Sequence, residues 1–446
     1  MILMRNVGYM VKKNIAENKQ KNPWTPQDEG DHYPVMKEWW CIETLFKTLE
    51  DNRKWNIKAA IAYELETPSC WFTYYLFDIT SNKCLAHTAI NDNINKLSHK
   101  KNTVDLKYEK SSLVGLYPNY HIHLEDDTQE FTADMKYKAK ILPHWTAQDS
   151  TNGYLPFGFD YFRYGWLINS DLSGVLKIND ELHKIKGKGY LEKAWGNWSY
   201  TNPFQKLSGF KKTVSTYGHL FNWWFLNRKI KIPNRIAFTT ENNPFGYDWF
   251  WGVFDNDWSV AYGNSLFWLS DGPAFGVLTL FTEGNNYIDF SDINFHYNKV
   301  KYIKEYDLVY PCDLTINARS NDKKIKLHVW SVCDGYEYIE KFNGDNFYRA
   351  FILPELPARM KCIFEDNEKK LELEGDCKIA PQRQPSKLGH NSLEIEFIKP
   401  PKGVGISFEL DAHYLKKKIF TQIKLAPRPK IKMNSKELNN HMDSLQ

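Results

Sequence analysis

In the run Gly189-Tyr190-Leu191-Glu192-Lys193-Ala194-Trp195-Gly196-Asn197-Trp198 an acid and a base are adjacent, set among one Tyr and two Trp and bracketed by glycines. A charge inside an aromatic strand costs free energy unless something pairs it or uses it. One use is acid chemistry: a carboxylic acid kept neutral by burial is a proton donor, and aromatic faces beside it attract positive charge. Glu192 amid Tyr190, Trp195 and Trp198 has the residue types for this. Trp39, Trp40 and Trp249 could complete the wall.

Strand alternation limits the choice. Tyr190, Glu192 and Ala194 share one face and Leu191, Lys193 and Trp195 the other, so Glu192 and Lys193 should not both face a pocket. Two readings of Glu192 stay open: an acid in a barrel lumen, or half of a structural ion pair across a domain seam. Other candidates carry the same ambiguity. His87 fits a core histidine or a ligand contact, and Asp92 fits a turn. Asp248 fits a buried pairing with the 189–198 run or a group facing a ligand, and Glu38 is similar. His121, His123 and Glu125 share a strand face at a spacing that zinc could use. They precede Asp126-Asp127 and read better as a solvated strand end, so no metal and no cofactor are expected.

The elements that must position these groups are strands. Of the 446 residues, 26 are Tyr, 27 Phe and 16 Trp, types that suit a pleated, half-buried surface. Segments alternate from Lys37 onward. The clearest period-2 run is Phe131, Ala133, Met135, Tyr137, Ala139 and Ile141. Short strands with turns between them, uninterrupted by long amphipathic helices, predict an all-β chain of barrel or sandwich type. The length predicts two domains. The expected division is an irregular leader over 1–30, an N-terminal barrel over 31–203, a partly helical connector over 204–244, a C-terminal barrel over 245–426 and a polar tail over 427–446. Strands expected near 392–398, 403–411 and 417–424 fall to the second barrel. The aromatic, basic-ended 204–233 stretch reads as an interdomain connector, or as a lid or membrane-touching element.

Composition narrows the partners. The net charge of +4 is spread over the whole chain with no concentrated basic domain, which argues against nucleic acid. Seven scattered cysteines without a C-x-x-C pair favour reduced thiols. No apolar run reaches signal-peptide or transmembrane length, so the expected location is the cytoplasm, with peripheral membrane contact left open. The oligomeric state is not legible.

Four blocks, in order, resemble the double-lipocalin family of carotenoid 1,2-hydratases (hydroxyneurosporene synthases) and AttH-like proteins, to which fungal Diels–Alderases are structurally related. They are Glu38-Trp39-Trp40-Cys41, His87-Thr88-Ala89-Ile90-Asn91-Asp92, Gly187 to Trp195, and Gly246-Tyr247-Asp248-Trp249-Phe250. The third block departs from the family, where the acid is most often Asp. Its Tyr-Leu-Glu-Lys form is similar to the matching stretch of tocopherol cyclases. The resemblance implies two consecutive lipocalin-like antiparallel β-barrels. It also implies a hydratase or cyclase acting on a hydrophobic isoprenoid or polyene. Glu192 would be the acid, and Trp39, Trp40, His87, Tyr190, Lys193, Trp195, Asp248 and Trp249 would bind. The alternative is a non-catalytic carrier of a hydrophobic ligand, since barrels hold such molecules without chemistry.

Overall fold

The structure is a computed structural model. It describes residues 24–157, 160–198, 210–226, 235–239, 246–265, 272–273, 275–290, 292–306, 308–342, 348–367, 369–385, 391–398, 403–412 and 417–421. The expected leader before Trp24 and the tail over 427–446 lie outside these residues. So do the connector's 204–209, 227–234 and 240–244.

The chain is nearly all antiparallel strand, as its aromatic alternation predicts. The first sheet is built from β1 (Lys37–Thr48), β2 (Lys54–Glu64), β3 (Ser69–Asp78), β4 (Lys83–Asn93), β5 (Leu97–Ser98), β6 (Val104–Tyr108), β7 (Ser111–Leu116), β8 (Asn119–Asp126), β9 (Phe131–Ala139), β10 (His144–Trp145), β11 (Tyr154–Phe157), β12 (Asp160–Ile178) and β13 (Glu181–Asn197). Its order is β4-β3-β2-β1-β13-β12-β9-β8-β7-β6-β5, with β10 and β11 paired to β12. Every neighbour is antiparallel, so short turns suffice. The β12–β13 hairpin turns on Asn179 and Asp180, both at positive φ, a conformation these residue types tolerate.

Inward side chains from these strands fill one apolar core that includes Trp40, Ile42, Phe72, Met135, Leu172 and Leu191. Phe131, Ala133, Met135 and Tyr137 of the predicted alternating run all point into it. Burying one such side chain stabilises by about 1.5–3 kcal/mol. Small barrels have interiors just wide enough for side chains to fill.

After a break come β14 (Arg235–Thr239), β15 (Tyr247–Phe254), β16 (Ser259–Ser265), β17 (Gly272–Pro273), β18 (Phe275–Phe281), β19 (Tyr287–Phe290), β20 (Asp292–Ile303), β21 (Leu308–Ser320), β22 (Lys323–Ser331), β23 (Tyr336–Lys341), β24 (Ala350–Asp366), β25 (Lys369–Ile379), β26 (Asn391–Ile398), β27 (Gly403–Ala412) and β28 (Lys417–Thr421). The second sheet runs β17-β20-β21-β22-β24-β25-β15-β16-β18-β19, with β23 added to β24. It encloses its own core around Tyr262, Leu278, Tyr310 and Met360. The last three strands are present where expected. Their sheet is different: they pair with β14 in a separate four-stranded sheet, β14-β26-β27-β28. Strand patterns alone carry no information on which edge a strand joins. A helix, Phe210–Leu226, occupies part of the expected connector and packs on β11 and β12.

The two large sheets meet through an aromatic seam of Trp166, Ile168, Tyr190, Trp249, Trp251 and Phe281. A β-bulge in β12 between Leu167 and Ser170 makes this possible. Leu176, Leu172 and, beyond the bulge, Leu167 all point into the first core. The extra residue reverses parity, so Tyr164 and Trp166 come to lie on the outer face of the sheet.

Candidate functional site

The site is assembled from the outer face of the first sheet. On β1 that face carries Lys37, Trp39, Cys41 and Glu43. The antiparallel register sets Glu64, Ala62, Ala60 and Lys58 of β2 opposite them on one side. On the other side stand Gly196, Ala194, Glu192 and Tyr190 of β13. Trp71, Thr73 and Tyr75 of β3 continue the rows. Alanines at 60 and 62 leave a hollow between the rings of Trp39 and Trp71. A two-stranded ribbon, β23 with the start of β24, lies over it. Its register brings Tyr336, Tyr338 and Glu340 alongside Glu355, Leu353 and Phe351. The cavity beneath it measures about 170 Å³, and Trp39, Cys41, Lys58, Trp71, Glu192 and Glu355 are among its lining residues. It lies outside the first barrel's packed core, between the two sheets.

Glu192 is the carboxyl at one end. Tyr164 and Tyr190 each donate a hydroxyl hydrogen bond of 2.6 Å to its Oε2. Trp39 donates its indole N–H to Oε1 at 3.1 Å. The two phenol oxygens are 3.1 Å apart. Burial raises the Glu192 pKa above the usual carboxylate value, and the nearby Lys58 and the two tyrosines pull against that rise without reversing it. Burial thus shifts the balance of this carboxyl toward its neutral form.

Behind Glu192 lies a buried ionic network. Lys378 Nζ is 3.0 Å from Glu43 and 2.5 Å from Glu355. Lys58 is 3.4 Å from Glu43 and also paired with Glu355. Trp251 donates its indole N–H to Glu43. Two carboxylates and two ammoniums from both sheets thus balance one another. Burial opposes the Glu43 charge, but Lys378 and Lys58 outweigh it and hold its pKa below the usual value.

The predicted residues divide between two faces. Glu192 and Trp39 line the cavity. Tyr190 holds Glu192 and stacks on Trp251 at 5.2 Å. Trp249 packs behind them, 5.7 Å from Tyr164 and 5.1 Å from Trp166. His87 is exposed on β4, its ring 5.4 Å from that of Tyr336.

Lys193, Trp40 and Trp195 belong elsewhere. Lys193 points into the first barrel, where Glu38 is 2.6 Å away, the Trp40 ring 3.6 Å and the Glu29 carbonyl 3.1 Å. Trp195 stacks on His32 at 3.8 Å. Asp248 is not paired with the 189–198 run. It accepts from Arg383 at 2.8 Å and from Tyr297, buried within the second sheet.

Lys37, Lys58, Trp71, Tyr164, Glu340 and Glu355 were not singled out from the sequence. One signal was available: Lys58, Ala60, Ala62 and Glu64 put only small or charged residues on one face of β2. Such a face ordinarily meets solvent, and here the ribbon covers it.

No family model matches the chain, and no curated protein matches it. Solved structures do. An AttH from Nitrosomonas europaea superposes with a TM-score of 0.53 at 13% identity, covering 81% of this chain and 97% of its own. Kievitone hydratase from Nectria haematococca gives 0.47 at 14% identity, covering 80% and 98%. CghA with Sch210972 gives 0.45 at 6% identity, covering 83% and 97%. The AttH likeness extends over both sheets, and the fold is the two-domain lipocalin-like one that the motif order implied.

Proposed function

We propose that this double-lipocalin chain is an enzyme that protonates a carbon–carbon double bond of a hydrophobic isoprenoid or polyene. Glu192 is the acid. The observation that carries the reading is a carboxyl with a raised pKa at the end of a cavity walled by Trp39 and Trp71.

The step balances within the site. The π pair of the alkene forms a C–H bond with the Glu192 proton, and the O–H pair stays on the carboxylate. The cation forms in a cavity walled by the indoles of Trp39 and Trp71, rings of a type that attracts positive charge. The carboxylate left behind is held by Trp39, Tyr164 and Tyr190, all of which donate to it. The acid is restored by a proton from an attacking water, giving hydration, or from a neighbouring carbon, giving isomerisation or, where a second double bond has first attacked the cation to close a ring, cyclisation. At about 170 Å³ the cavity is below the roughly 300–1,000 Å³ of drug-sized pockets. It therefore takes a small alkene or the end of a longer chain.

The test is turnover of isoprenoids in deuterated water, read by mass spectrometry, for wild type and Glu192→Gln matched by thermal melting. Wild type should place one deuterium on carbon, and the variant should lose roughly a hundredfold or more in rate. Equal turnover in the two proteins would remove Glu192 from the chemistry.

A further inference from the structure

The cavity has a second polar end that proton transfer at Glu192 does not use. Lys37 lines it, and its side chain is buried to 3% exposure with Nζ 2.8 Å from Glu64. The ammonium sits 4.8 Å from the centre of the Trp71 ring. Tyr338 and Glu340 close this end from the ribbon, and the Tyr338 hydroxyl donates to Glu340 at 3.3 Å. Along β1, Cys41 is four steps of extended strand from Lys37, about 13 Å. Cys41 stands directly across from Glu192. Between the ends lie Trp39, Ala62 and Trp71, an apolar waist.

The charges at this end define what it can take. Lys37 is matched by Glu64 in direct contact. Burial pushes the Glu340 carboxyl toward its neutral form, against the pull of Tyr338 and Lys37. The end therefore does not call for a carboxylate, a phosphate or an ammonium. It offers N–H and O–H donors and the carboxyl oxygens of Glu340 as acceptors. A hydrocarbon lying there would face those polar groups and return no hydrogen bond.

We infer that the ligand is an uncharged amphiphile, with a hydroxyl or carbonyl oxygen seated among Lys37, Tyr338 and Glu340 and its double bond beside Glu192. The placement of the double bond rests on the proposed proton transfer; the seating of the oxygen does not.

The test uses the full chain and two probes: geraniol, and the ten-carbon diene hydrocarbon of the same skeleton. Trp39 and Trp71 line the cavity, so binding is read by quenching of tryptophan fluorescence. Wild type should prefer geraniol by at least about tenfold. Glu192→Gln should keep that preference. Glu340→Leu and Tyr338→Phe, both on the ribbon, should reduce it to about twofold or less while melting as wild type does. Equal affinity for the two probes in wild type overturns the inference and leaves the acid role of Glu192 standing. So does a preference that survives both ribbon variants. A preference that the ribbon variants abolish, with no deuterium placed on carbon, upholds the inference while the proposed reaction falls.

Discussion

Glu192 and Lys193 are neighbours in sequence and face opposite sides of one sheet. The carboxyl borders the cavity between the two sheets. The ammonium is sealed inside the first barrel, 2.6 Å from Glu38 and against the carbonyls of Glu29 and Gly30. The two charges do not pair with each other, and their substitution should have different consequences.

Lys193→Met should act on stability. It leaves Glu38 buried with its cation removed, which costs about 3–5 kcal/mol. Urea unfolding at neutral pH measures this. The hydrogen bonds from Tyr63 and the His32 backbone N–H at 2.8 and 2.9 Å, and the His32 ring nitrogen at 2.8 Å, stay on Glu38 and soften the loss. A change below about 1 kcal/mol would contradict the pairing.

The network of Glu43, Lys58, Glu355 and Lys378 should be strongly non-additive. Lys378→Met alone leaves an excess buried carboxylate and should cost about 3–5 kcal/mol. Adding Glu355→Gln removes one of the two carboxylates that Lys378 served. The double variant should therefore recover about 1–3 kcal/mol relative to the sum of the singles. Simple additivity would show that the four charges do not act together.

Ala62 faces the hollow across from Trp39 and Trp71. Ala62→Leu should fill the waist of the cavity and abolish ligand binding. Because the new side chain enters open space, its effect on stability should stay within about 1.5 kcal/mol. Fluorescence titration and a thermal melt give the two readouts. Unchanged binding would place the ligand outside this cavity.

The segment before β1 is pinned by His99, whose Nδ1 lies 2.9 Å from Asp31. The hydrogen bond with Asp31 raises the His99 pKa despite burial. Burial works upward on Asp31, but His99 and the Tyr33 N–H outweigh it and hold it at about 2. The histidine's contribution is full below its unfolded value of about 6.5 and is lost as pH rises through the higher folded value. The aspartate's contribution is full above about 3.9 and is lost as pH falls through 2. The stability gap between wild type and His99→Asn should therefore be larger near pH 5 than near pH 8.5. Urea midpoints at the two pH values measure it. A constant gap would rule out the pair as the source.

Much of this architecture is legible in the residues themselves. Alternation in segments such as Phe131 to Tyr137 dictates strands, because a period of two is the only way such a run can hide one face. The run around Glu192 marks itself by placing a charge among aromatics, and its parity separates Glu192 from Lys193. What those patterns cannot carry is which face meets what. The bulge after Leu167 reverses the parity of β12 and brings Tyr164 onto the face of Glu192. The small, charged face of β2 becomes a cavity floor only because a ribbon from more than 270 residues later in the chain covers it. Asp248 finds Arg383, a partner no local spacing announces. Strand type is a local property of side-chain size and polarity. The pairing of faces and charges depends on contacts between distant segments, and only the tertiary structure decides them.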